Sequence, residues 1–129
     1  MPVLEEKGYA IMKTLDLDIP TAEWEDLVYM DWKSGGDTNF APLASCDGTI
    51  ECKGFWENGK PDKGAIFTSN AALSPKLMEY INTIPANFGR VRIIKLLPQQ
   101  FDQALRSVHR DDNNRLNPED EGWVVRMWI

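Results

Sequence analysis

Arg92-Ile93-Ile94-Lys95-Leu96-Leu97-Pro98, followed downstream by His109-Arg110-Asp111, is the stretch from which the fold can be read. The first piece is a run of β-branched and apolar residues closed by a proline, the pattern of a buried strand. Asn87-Phe88-Gly89 turns the chain into it, so the strand is expected over Arg90 to Leu97. Next, Phe101, Ala104, Leu105 and Val108 recur at i, i+3, i+4 and i+7, which predicts a short helix within Gln99 to Val108. That helix leads to the only histidine in the chain. On extended backbone, side chains two apart point to the same side, so His109 and Asp111 can face one ion together. An imidazole nitrogen with a carboxylate oxygen suits iron(II), manganese or zinc.

Working outward, Ser74-Pro75 marks a helix start, with Leu77, Met78 and Ile81 as its apolar stripe and Pro85 as its stop. Pro20-Thr21 opens another short helix, with Trp24, Leu27 and Val28 on one face and acidic residues in its first turn. Gly8 to Asp18 alternates loosely and reads as an early strand. Residues 33–64 are rich in turn pairs (Gly35-Gly36, Asp47-Gly48, Asn58-Gly59) and read as hairpins or a long irregular loop. Trp123, Val125, Met127 and Ile129 alternate with Val124, Arg126 and Trp128 as a last strand. The five tryptophans are expected to anchor the core. The pattern as a whole is α+β with a mainly antiparallel sheet, one domain spanning residues 1–129.

The chain has 129 residues, 43% hydrophobic and 26% charged, with a formal net charge of −6. That balance suits a folded domain, and its sign opposes nucleic acid or an anionic membrane surface as partners. No apolar run approaches membrane-spanning length, and the acidic Met1-Pro2-Val3-Leu4-Glu5-Glu6-Lys7 is no signal peptide, so the expected location is the cytoplasm. Cys46 and Cys52 flank the turn Asp47-Gly48-Thr49. A hairpin could bring them together, whereas a reducing compartment would leave two thiols. A zinc site would need ligands beyond this pair.

Other motifs weaken on inspection. His109-Arg110-Asp111 spells the catalytic-loop triplet of protein kinases, but Leu116 stands where a magnesium-binding asparagine belongs, and no phosphate loop precedes it. Ser107 lacks a glycine elbow. The carboxylate pairs Asp111-Asp112 and Asp120-Glu121 read as solvated loop, with an oxygen-ligand magnesium or calcium site as the alternative.

The apolar strand ending at Pro98, His109-x-Asp111 and the strand after it resemble the Fe(II)/2-oxoglutarate-dependent dioxygenases, nearest the aspartyl/asparaginyl β-hydroxylase-like and prolyl-hydroxylase-like branches. The resemblance covers roughly Gly89 to Ile129. It implies a double-stranded β-helix (jelly roll), partial or complete, with flanking helices. It further implies that His109 and Asp111 are two of three Fe(II) ligands, that 2-oxoglutarate and O2 are cosubstrates, and that a C–H bond of a small molecule or peptide is hydroxylated. Arg126 and Arg115 are the expected partners of the 2-oxoglutarate carboxylates, because a guanidinium grips a carboxylate bidentately. The chain departs from the family pattern in three ways. It has no distal histidine, no basic residue following one, and a longer interval between Pro98 and His109. With the alternation breaking off at Trp128-Ile129, the expectation is the N-terminal portion of a longer oxygenase domain. The competing expectation is a small non-enzymatic binding or assembly domain, a homo-oligomer joined through its C-terminal strand.

Overall fold

The computed structural model describes residues 7, 10–31, 38–52, 54, 57, 61, 63–106, 108 and 126–129. The elements run α1 (Ala22–Glu25), β1 (Met30–Asp31), β2 (Thr38–Ser45), β3 (Ile66–Phe67), α2 (Ser69–Ala72), α3 (Pro75–Ile81), β4 (Val91–Leu96) and α4 (Phe101–Arg106). The four strands form one antiparallel sheet, so the chain is α+β as expected.

β2 is the centre of the sheet. β4 pairs along one edge, from Thr38↔Leu96 to Ala44↔Val91. β1 and β3 share the other edge end to end, β1 opposite Phe40 and Asn39, β3 opposite Ala44 and Ser45. This central strand falls inside the segment read from its turn pairs as hairpins or a long irregular loop, and it carries Pro42. A proline cannot donate to a ladder and normally argues against a central strand. Here the register slips between Pro42 and Ala44, so Leu43 and Ala44 together stand opposite Val91. The bulge places the proline where the ladder is already irregular.

The gap between β1 and β3 is closed by a side chain. Asn70, 1% exposed, accepts from Val28 N–H at 2.9 Å and donates through Nδ2 to Val28 C=O at 2.9 Å and Pro42 C=O at 3.2 Å. It thus acts as an extra rung on the edge of β2. Thr68 Oγ1 also donates to Pro42 C=O, at 2.6 Å, and accepts from Asn70 N–H as the cap of α2.

One face of the sheet meets the helices. Leu27, Ala41, Leu43, Met78 and Ile81 form the core, with Tyr29, Leu77, Phe88, Val91 and Ile93 packed around them. Burial of each large member contributes about 1.5–3 kcal/mol. The expected stripe of α3 is therefore seen, with Met78 and Ile81 buried and Leu77 half-buried. Its cap differs from expectation. Ser74 makes no side-chain cap to its own helix; its Oγ donates to Glu23 C=O at 2.6 Å. The capping is done from α1: the buried Glu23 carboxylate accepts from Lys76 N–H at 2.9 Å and Leu77 N–H at 3.0 Å.

Several expectations are corrected. Residues 10–18 form no strand, and Ile11 and Met12 are exposed, because nothing in the sheet pairs with them. On α1 and the turn after it, Leu27 is buried, but Trp24 and Val28 are exposed; four residues of helix cannot carry a full apolar stripe. Residues 126–129 are not strand, and Trp128 is 75% exposed, so neither Trp24 nor Trp128 is a core anchor. β3 and α2 have no counterpart in the sequence reading. The early part of the last strand (Trp123 to Val125), with Trp32 and Trp56, lies outside the described residues.

Candidate functional site

β4 sets the approach to the predicted site. Val91 and Ile93 turn to the core, so by alternation Arg92, Ile94 and Leu96 lie on the opposite face beside Phe40. The Arg92 guanidinium stands 5.4 Å from the centroid of the Phe40 ring, a cation–π contact that orients it along the sheet. After Pro98 the chain enters α4. Its helical spacing is as expected, but Phe101 and Leu105, like Val108 just beyond, are exposed, and only Ala104 is half-buried. Arg106 and Asp102 pair at 2.9 Å on its surface.

His109, Asp111 and Arg115 lie outside the described residues. Arg126 is described and exposed. Among the described residues, no group of three or more histidine, cysteine, aspartate or glutamate side chains could hold a metal ion. Nor is any helix among them long and apolar enough to cross a membrane.

Two other places carry chemistry or space. The first is the segment from Cys46 to Cys52. Asp47 Oδ1 accepts from Thr49 N–H at 3.0 Å and Thr49 Oγ1–H at 2.8 Å, and Ser45 Oγ lies 3.2 Å away. The Thr49 amide is the main reason that the Asp47 carboxyl is held below the usual carboxylate range. Gly48 makes the turn at φ +78, and a Cβ there would come within 2.9 Å of Ile66 Cγ2. Both cysteines are thiols, and burial is the first cause pushing each above its ordinary pKa.

The second is a half-open cavity of about 300 Å³ lined by Ala44, Phe67, Ile81, Ile84 and Phe88, with Asn82 and Asn87 as polar groups. No ionisable side chain lines it, so it offers shape and two amides rather than acid–base chemistry. Sequence reasoning missed it because its walls come from β2, β3, the end of α3 and the 84–88 turn, which only the fold brings together. The buried Asn70 and Glu23 were equally invisible, and both serve the scaffold. Asn39 Oδ1 is the buried side-chain oxygen without a hydrogen-bond partner among the described residues.

No protein-family profile, curated protein or solved structure matches the chain.

Proposed function

We propose that this chain is a jelly-roll, oxygenase-like domain of the Fe(II)/2-oxoglutarate type, with His109 and Asp111 as two of its metal ligands. The observation that supports the reading is the setting of β4. It is an antiparallel strand next to the central strand, with helices against one face and Phe40, Arg92, Ile94 and Leu96 on the other. A jelly roll needs that asymmetry, with helices outside and a ligand-lined face within. β4 then ends one residue before Leu97-Pro98, and a short helix carries the chain toward His109, in the order that the resemblance requires.

In this reading the chain's own residues bind and orient. His109 and Asp111 supply nitrogen and oxygen donors to Fe(II), and Arg126 and Arg115 hold the cosubstrate's carboxylates. The metal, when bound with O2 and 2-oxoglutarate, supplies the oxidising chemistry. His109 is the only histidine, so two protein donors hold the ion and its affinity for the 129-residue chain is weak. The test is calorimetric titration with Mn(II). Wild-type chain should take up the ion and His109→Ala should not; equal uptake by both overturns the reading.

A second reading is favoured by the exposure of Met127, Trp128 and Ile129, an apolar strip that suits a self-associating assembly domain. Deleting Trp128 and Ile129 should then convert a dimer to a monomer in sedimentation; a monomer before and after removes it.

A further inference from the structure

The segment between Cys46 and Cys52 is closed on a single atom. Ser45, the neighbour of Cys46, donates its hydroxyl to Thr49 C=O at 2.8 Å. Cys52 N–H donates to the same oxygen at 3.3 Å. With those two legs sharing one oxygen, Ser45 Oγ and Cys52 N are no more than about 6 Å apart. Asp47 holds the turn from inside through Thr49, and Gly48 supplies the left-handed residue that reverses the chain. The two cysteines thus stand at the two ends of a tied loop, and a disulfide needs Cα atoms roughly 4.4–6.8 Å apart.

Two further observations belong to the same pair. Cys52 sits at φ +53, a left-handed conformation that a non-glycine residue adopts at a cost of about 1 kcal/mol, so the loop holds this cysteine in place against its own preference. Both side chains are half-buried, open to a small reagent but not laid bare. They also share an electrostatic neighbourhood. The Arg90 guanidinium acts on both thiols, and the charge of Cys46 is felt at Cys52.

We propose that Cys46 and Cys52 are a modification site, a dithiol that closes reversibly to an intramolecular disulfide on reaction with an oxidised low-molecular-weight disulfide. One cysteine loses its proton and its thiolate attacks the small disulfide, forming a mixed disulfide and releasing one small thiolate. The second cysteine loses its proton and attacks the protein sulfur of that bond, expelling the other small thiolate. The protein gives up two protons and two electrons, and the small disulfide is reduced to two thiols. Burial keeps both cysteines protonated near neutral pH, so closure is slow there and quickens as the thiolate appears.

The experiment uses the full chain, folded, with glutathione disulfide as the probe, at a series of pH values, quenched with iodoacetamide. Cys46 and Cys52 fall in one tryptic peptide, residues 34–53, so mass spectrometry reads the outcome directly. The expected product is that peptide lighter by two hydrogen atoms, without glutathione or alkyl groups, formed up to about tenfold faster per pH unit below the thiol pKa. Cys46→Ser and Cys52→Ser should each stop at a single, persistent glutathione adduct. Wild-type peptide that stays alkylated at both positions, carries two separate adducts or appears in cross-linked dimers overturns the proposal. Closure seen only in urea overturns it as well, because the folded loop would then not be what brings the sulfurs together.

Discussion

The knot around Asn70 and the surface of α4 follow opposite rules. In the knot, polar groups are buried and satisfied: Asn70, Thr68, Ser74 and Glu23 bond the backbone of β2, of residue 28, of α1 and of α3. On α4, Phe101 and Leu105 are apolar and exposed, and the polar contact is a single ion pair in water. The first region spends polar atoms on tying distant segments together. The second has the periodicity of a core helix without a core beneath it. Amphipathic spacing thus reports which face of a helix is apolar, and only tertiary structure reports what that face meets.

That contrast can be broken by mutation, most severely at Asn70. Asn70→Ala takes the side-chain partner from the Val28 N–H and carbonyl at a part-buried position and leaves the Pro42 carbonyl with Thr68 Oγ1 alone, at about 3 kcal/mol in urea unfolding. A loss under 1 kcal/mol would mean that the rung between β1 and β3 is ornamental. Glu23→Ala comes next, at about 2 kcal/mol, since two amides of α3 lose a charged acceptor. Its loss should be accompanied by earlier amide exchange at Lys76 and Leu77 than in the rest of α3. At the other end, Leu105→Ala should change stability by less than about 0.5 kcal/mol, because the side chain is already exposed. A loss comparable to that of Asn70→Ala would show that the apolar face of α4 is covered in solution and would erase the distinction.

What could be read from the chain follows from how local each cause is. β4 announces itself by a β-branched run with a proline behind it, and α3 by Ser74-Pro75 and its spaced Leu77, Met78 and Ile81. Both were legible with small boundary errors. β2 was not, although it is the longest strand, since Asn39 and Pro42 break its apolar pattern. A bulge accommodates the proline, and a side chain 28 positions further along the chain, Asn70, donates to the Pro42 carbonyl. The candidate metal ligands were legible only as a triplet, His109-Arg110-Asp111, whose spacing states a possibility of convergence. The dithiol was legible as two cysteines about a turn, but its closure depends on Thr49 C=O serving both ends.

By itself the sequence determined the α+β class, the β4 strand, the α3 and α4 helices and the chemical inventory: one histidine, two cysteines and an excess of acid. Those depend on periodicity, capping residues and composition, which act within a few residues. Only the tertiary structure decided that Thr38–Ser45 is the central strand, that Glu23 caps a helix other than its own, and that α4 presents its apolar side to solvent. Each of those rests on a hydrogen bond or a packed surface between segments far apart in the chain, and no local pattern of residues encodes a partner that far away.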